Sequence, residues 1–235
     1  MTHEYSDRWF TTFLEPIPPE QTRSEVAFLA RQLPLPGFRR ILDLACGPGR
    51  HASALAEAGY DVTGVDVHRP SLTAARARAG PGARFVQADM RDLRALPEDF
   101  DGVTCMWQNF GHFDAATNAR VLRQAAGRLR AEGRLVLDLY HRKFFEANQG
   151  VRRHERSGVV IEEWKAMRGD RLDVRIRYGG DGEDRFEWQL YTPEALVALA
   201  GRCGFRPILG CREFDASRPA SPERPRMQWV FGKVE

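Results

Sequence analysis

Three aspartates and two glycines carry the chemistry of this chain. Asp43 lies inside the run Ile41-Leu42-Asp43-Leu44-Ala45-Cys46-Gly47-Pro48-Gly49-Arg50, Asp66 closes Asp61-Val62-Thr63-Gly64-Val65-Asp66, and Asp89 closes Ala83-Arg84-Phe85-Val86-Gln87-Ala88-Asp89. Carboxylates at such places accept hydrogen bonds from hydroxyl, amino and ammonium groups. Gly47 and Gly49 carry no Cβ, so a ligand can approach backbone there. The residues after Gly49 read as a helix, whose first N–H groups and positive dipole end suit an anionic group. The pattern suits an anionic ligand.

The positioning elements follow from periodicity. Short apolar runs that stop at glycine read as buried strands at 41–44, 61–66, 83–89, 100–107 and 134–140. Helical patterns alternate with them at 51–58, 70–79 and 115–130, the second opened by Pro70 and stopped by Gly80. Alternating strands and helices predict an α/β fold with a mainly parallel, doubly wound sheet. The three acids then fall at the carboxyl edge, where such sheets bind ligands. The spacing Gly47-x-Gly49-x-x-Ala52 also fits the loose dinucleotide fingerprint. An acid inside the first strand and two more ending the next strands argue against a nicotinamide ligand.

This ordered set resembles the class I S-adenosylmethionine-dependent methyltransferases. The segments that carry the resemblance are LDLACGPGR (42–50), VTGVD (62–66), FVQADM (85–90), FDGVTCMWQNFGHF (100–113) and LRAEGRLVLDLY (129–140). The resemblance implies a seven-stranded Rossmann-like sheet, closed by an antiparallel hairpin, with S-adenosylmethionine as cofactor and S-adenosylhomocysteine as product. It implies that Gly47 and Gly49 let the methionine part approach, and that Asp43 helps hold its ammonium. Asp66 would accept from the ribose hydroxyls, Asp89 would take the adenine amino group, and Met90 would cover the ring. Ala45, Cys46, Val67 and Trp107 complete the implied cofactor shell.

In this family a helical segment before the first strand folds over the cofactor. Tyr5 and Trp9, four residues apart, share a face of such a helix. They either contact the cofactor or pin the segment to the domain. A second helix over 22–33 has a capping-box pattern at Thr22 and Glu25 and an apolar stripe of Val26, Leu29, Ala30 and Leu33. Arg23 is its candidate partner for the methionine carboxylate; its alternative is a solvated side chain.

The segment after the fourth strand, Trp107-Gln108-Asn109-Phe110-Gly111-His112-Phe113, faces the methyl group in the resembled family. It has no Asp-Pro-Pro-Tyr-like tetrapeptide of nucleobase amino methylation and no Pro-Cys pair of cytosine-C5 chemistry. Its aromatic-Gly-aromatic form looks like the small-molecule branch. His112 is the first candidate for a catalytic base, because histidine titrates near neutrality; the competing reading is a histidine that shapes the substrate site or the surface. Residues 151–191 hold three stretches of alternating apolar and charged character, which predict an antiparallel meander. Placed after the fifth strand, it becomes a cap over the site, too small to bury a core of its own. The chain therefore reads as one methyltransferase domain: a helical lid over 1–36, a cofactor-binding core over 37–141, the cap over 151–191, and a last helix with the closing hairpin over 192–235. Residues 215–226 read as a loop between the last two strands.

A chain of 235 residues is long enough for a sizeable core. A net charge of +3 without a lysine/arginine run shows no footprint for a polyanion, so no nucleic-acid partner is expected. Cys46, Cys105, Cys203 and Cys211 form no C-x-x-C pair, which points to free thiols in a reducing compartment and to no metal site. No run approaches membrane-spanning length and the first residues lack a signal-peptide pattern, so a cytoplasmic protein without a membrane partner is expected. The expected activity is in-line methyl transfer to nitrogen or oxygen of a small-molecule acceptor. The rival readings are an RNA or protein methyltransferase, which needs a basic groove, and a non-catalytic S-adenosylmethionine sensor. The sequence sets neither the acceptor nor the oligomeric state.

Overall fold

The apolar runs become strands and the helical patterns cover them. A computed structural model describes residues 5–180 and 182–234. The first residues of the lid segment (1–4), Asp181 in a turn of the cap, and Glu235 lie outside the described residues. In chain order the first five strands are β1 (Arg40–Leu44), β2 (Asp61–Asp66), β3 (Ala83–Gln87), β4 (Phe100–Cys105) and β5 (Leu129–Tyr140). They are followed by β6 (Gly150–Arg156), β7 (Val159–Arg168), β8 (Arg171–Tyr178) and β9 (Glu183–Gln189), then β10 (Phe205–Arg212), β11 (Asp215–Pro219) and β12 (Arg226–Lys233). The main sheet has the order β11-β10-β12-β5-β4-β1-β2-β3. β3, β2, β1, β4 and β5 run parallel, while β12, β10 and β11 join antiparallel. This is the doubly wound, mainly parallel arrangement expected, with β11 as a short eighth strand on the edge. β11 lies in the Pro/Ser/Arg stretch read as loop; Pro219 is tolerated there because an edge strand needs no ladder N–H on its outer side.

Helices pack on both faces. α2 (Pro19–Gln32), α3 (Arg50–Glu57) and α4 (Arg69–Arg78) cover one side, burying Phe28, Leu29, Leu55 and Leu72 with Ile41 and Val62. α5 (Ala115–Arg128) and α7 (Pro193–Gly201) cover the other, burying Val121, Leu122, Leu196 and Leu199 with Leu135 and Leu137. Asp114 and Thr192 cap α5 and α7 by accepting from the N–H of Thr117 and Ala195. The position of α2 departs from its sequence reading. Pro19 takes the first helical position, so the helix starts a turn early, with Pro18 at its cap. Thr22 and Glu25 are then interior residues rather than a capping box.

The second sheet, in order β6-β7-β8-β9, is antiparallel throughout. It has one more strand than the sequence suggests. β6 reads Gly-Val-Arg-Arg-His-Glu-Arg and is exposed along nearly its whole length, so it carries no apolar alternation to find. The sheet's inner face buries Ile161, Val174, Ile176, Phe186 and Trp188. Against it lie Phe145 of the short α6 (Arg142–Ala147) and the N-terminal aromatics Tyr5, Trp9 and Phe13. Those aromatics belong to α1 (Asp7–Trp9), its approach, and the π-helical turn Phe10–Leu14 that follows. The segment is fastened to the cap by Ser6 Oγ, which donates to the buried Asp184 at 2.7 Å, as Tyr178 does at 2.6 Å. Among the described residues no helix is long and apolar enough to cross a membrane.

Candidate active site

The carboxyl edge of β1 and β2 carries Asp43 and Asp66 beside the glycine turn, and Asp89 follows β3. Asp43 is 2% exposed. Its Oδ1 accepts from Thr104 Oγ1 at 2.7 Å, while its Oδ2 is buried with no partner. Burial raises its pKa against the opposing pull of His51, Thr104 and Arg50. A buried carboxylate oxygen without a donor is costly unless a ligand supplies one. Asp66 holds the turn from the other side: its Oδ2 accepts from Gly47 N and its Oδ1 from His68 N, both at 2.8 Å. Each oxygen keeps a lone pair for a further donor.

The two glycines do different work. A Cβ on Gly47 would meet nothing within 4 Å, so the backbone there lies open. A Cβ on Gly49 would lie 2.7 Å from the Phe85 ring, and the residue has φ +79°. Gly49 is thus required by packing against β3 and by the left-handed turn into α3, not by approach of a ligand. Ala45 also turns left-handed, and its carbonyl accepts from Asn109 at 3.1 Å. Cys46 is half-buried, with its sulfur against Gly64. Val67 is 60% exposed beyond Asp66, and Met90 packs partly buried against the core. Asp89 is engaged already: Arg91 grips both its oxygens, holds its carboxyl below the usual range against the opposing effect of burial, and lies over Phe113.

Glu25 is the residue the sequence reading placed in the wrong role. It is 1% exposed and receives four groups. Gln21 Nε2 and Trp107 Nε1 donate to Oε1 at 3.0 and 2.9 Å, and His51 Nε2 and Arg50 Nη1 meet Oε2 at 2.7 Å each. Burial alone would raise its pKa; the His51 hydrogen bond and the charges of His51 and Arg50 overcome that and hold it at about 2. The signal was available, because Glu25 shares a helical face with Phe28 and Leu29. Arg23 lies two residues away, about 200° around the helix. Its side chain is 66% exposed and paired with Glu20, so the structure does not bring it to the site.

Trp107 links this cluster to a second one. Its backbone N donates to Asp138 Oδ2 at 3.1 Å, and both Trp107 and Gln108 are left-handed, with φ of 59° and 60°. Asp138, fully buried in β5, also takes Gln228 and a bidentate Arg226. The Arg50 and Arg226 guanidiniums each lie over the Trp107 ring, at 4.8 and 5.1 Å. An acid inside an apolar strand marks Asp138 as it marks Asp43, and the sequence reading passed over it.

An aromatic wall joins the N-terminal segment, the cap and the loop after β4. Tyr5 stacks on Phe186 at 4.8 Å and Phe186 on Trp188 at 5.4 Å. Trp9 meets Tyr5 at 4.4 Å, and His112 meets Trp188 at 5.8 Å and Tyr5 at 6.3 Å. Tyr140, at the end of β5, closes the wall against Trp188 and Arg226. Burial, then the charges of Tyr140, Asp66 and Asp184, raise the Tyr5 pKa and keep it a neutral phenol. The loop carrying His112 is clamped to the cap: Gln189 N donates to Gly111 O at 2.7 Å. Gly111 has φ +104°, and a Cβ there would stand 2.4 Å from the Gln189 carbonyl oxygen. This explains the glycine of the aromatic-Gly-aromatic motif.

Residues 41–133 match a family described as a methyltransferase domain. That match and the sheet order support an S-adenosylmethionine-dependent methyltransferase with the class I fold. It is 26% identical over 201 residues to the putative methyltransferase YqeM of Bacillus subtilis, covering 80% of this chain and 81% of that one. It is 34% identical over 179 residues to a glycine/sarcosine N-methyltransferase of Aphanothece halophytica, covering 72% of this chain and 62% of that one. The chain thus spans less than two thirds of the glycine/sarcosine enzyme. An S-adenosylmethionine-dependent methyltransferase structure from Clostridium acetobutylicum superposes with TM-score 0.80 at 14% identity, covering 97% of each chain.

Proposed function

We propose that this protein methylates nitrogen of a small-molecule amine held in the aromatic chamber between the glycine turn and the four-stranded cap. One observation carries the reading. His112, on the loop after β4, is built into a wall shared by the cap and the N-terminal segment. A pocket roofed in this way suits a small acceptor better than a polymer. Aromatic faces suit an amine in its charged form. The similar Aphanothece protein is named a glycine/sarcosine N-methyltransferase, which agrees with this acceptor class.

S-adenosylmethionine supplies the methyl as a sulfonium carbon. The buried, unpartnered Asp43 oxygen and the open backbone at Gly47 fit its methionine end, with Ala45 and Cys46 beneath. Asp66 would accept from the ribose, with Val67 at its rim. Met90 would cover the adenine, and Asp89 would share its oxygens between Arg91 and the adenine amino group. Tyr5 and Trp9 would close over the site, and Trp107 would wall it. An amine reaches the chamber as an ammonium and must lose a proton before attack; His112 would take it. The four free cysteines suit a reducing cytoplasm.

The test is incubation with methyl-labelled S-adenosylmethionine and matched panels of small amines and alcohols. Label transfer to amines, slower in His112→Ala, is expected. Transfer only to alcohols, or only to RNA or protein, would overturn the assignment.

A further inference from the structure

We infer that a basic groove at the amino edge of the main sheet binds an anion of the diphosphate class. The site goes beyond the methyl-transfer reading and does not depend on it. The groove measures about 290 Å³ and is lined by Phe38, Arg130, Glu132, Arg134, Arg206 and Lys233. Its cations come from β5, β10 and β12, so no local run of sequence marks it. About 20 Å of β5 separate Arg134 from Tyr140 at the carboxyl end of that strand.

Strand pairing builds the groove. Arg134 in β5 stands opposite Gly232 in β12, and Gly232 stands opposite Arg206 in β10. The two arginines therefore share one face of the sheet, two strands apart, with Cα atoms about 10 Å from each other. The strand between them carries no side chain in that row. A Cβ on Gly232 would lie 3.7 Å from Nε and Cζ of Arg206 and 3.2 Å from Ile208. The Arg206 guanidinium thus lies against the bare strand between the two.

The cations are unequally committed. Arg130 uses all its nitrogens, on Asp101 at 2.6 Å and on the carbonyls of Ala131 at 2.8 Å and Gly37 at 2.9 Å. Arg134 gives one nitrogen to the Gln32 carbonyl at the end of α2, and with Arg130 it lies over the Phe38 ring. Lys233 Nζ donates to Leu129 O at 2.6 Å. Arg206 makes no hydrogen bond or ion pair among the described residues, and neither does Glu132. Asp101 neutralises Arg130, so Arg134, Arg206 and Lys233 face one carboxylate, Glu132. The open donors are the whole Arg206 fork, Nε and Nη2 of Arg134, and the rest of the Lys233 ammonium. They outnumber what the two oxygens of a carboxylate accept. A diphosphate has the oxygens and the charge to bridge two guanidiniums across a gap.

The experiment titrates pyrophosphate into the full chain by calorimetry at constant ionic strength, with and without saturating S-adenosylhomocysteine. Wild type is expected to bind pyrophosphate with the same Kd in both conditions. Arg206→Ala should weaken binding about tenfold or more, and Arg206→Lys, which keeps the charge but not the fork, should fall between. Lys233→Ala should give a second, independent loss. Arg185→Ala, in the cap, should leave binding unchanged. A nucleoside diphosphate that binds more tightly than pyrophosphate would assign the anion to a nucleotide; equal or weaker binding would assign it to the free diphosphate. No binding by wild type, undiminished binding in Arg206→Ala, or equal loss in Arg185→Ala would overturn the site. Displacement of pyrophosphate by S-adenosylhomocysteine would overturn it too, by placing the anion at the carboxyl edge.

Discussion

The carboxyl edge of the main sheet and the aromatic wall under the cap are built on opposite principles. The carboxyl edge consists of backbone turns and carboxylates whose hydrogen bonds are nearly all internal: Asp66 to Gly47 and His68, Asp43 to Thr104, Glu25 to four groups. Most of these carboxylate oxygens are held by the fold itself, and Asp43 Oδ2 is a buried exception. The aromatic wall is made of rings from four separate elements that meet by stacked, tilted and edge contacts. Stacking is less directional than a charged hydrogen bond, so the same frame can hold differently shaped acceptors.

The comparison can be broken most forcefully at Glu25. Glu25→Ala strands Arg50 and His51 in a buried site and should cost about 3–5 kcal/mol of stability in urea unfolding. A loss below about 1 kcal/mol would mean the carboxyl edge is not pre-organised by this carboxylate. Its titration gives an independent check. A folded pKa of about 2, below the ordinary carboxylate value, stabilises the protein above that ordinary value. The contribution is lost as pH falls toward about 2, and it amounts to roughly 3 kcal/mol. Glu25→Gln should flatten the stability profile across that acid range.

His112→Ala should lower turnover by about a hundredfold or more if the residue takes the proton, with the Kd for S-adenosylhomocysteine unchanged. Equal loss of both would place His112 on the donor side and blur the division. Asp66→Ala should weaken S-adenosylhomocysteine by about 1–3 kcal/mol in titration and leave the acceptor KM alone. The smallest effect is expected from Ser6→Ala, which frees the N-terminal segment from Asp184. It should cost about 1 kcal/mol and raise the acceptor KM rather than the donor Kd.

The glycine turn and the acids at the strand ends were legible because their signals are local. A strand that ends at Asp66, or a glycine one residue from another, is visible within ten residues of sequence. Glu25 escaped because Thr22-x-x-Glu25 imitates a helix start, and only the phase set by Pro19 shows it to be interior. The same phase turned Arg23 outward. Asp138 and Arg226, 88 residues apart, meet only through the pairing of β5 and β12, which no local pattern encodes. β6 escaped because a strand exposed on both faces has no hydropathy signature. Tyr5, Trp9 and His112 were singled out one by one, but their meeting was not legible, since ring contacts leave no spacing rule.

The Glu25 cluster also bears on how this protein can be cut and recombined. The stretch that matches the methyltransferase family, residues 41–133, contains Arg50, His51 and Trp107 but not the carboxylate they share. Transplanted alone, that stretch would carry a largely buried guanidinium, an imidazole and an indole N–H, all without that partner. The recognisable cofactor fold is therefore not a portable cassette. Its working boundary lies upstream, at the proline that starts α2, and any chimera that keeps the glycine turn must import that helix with it.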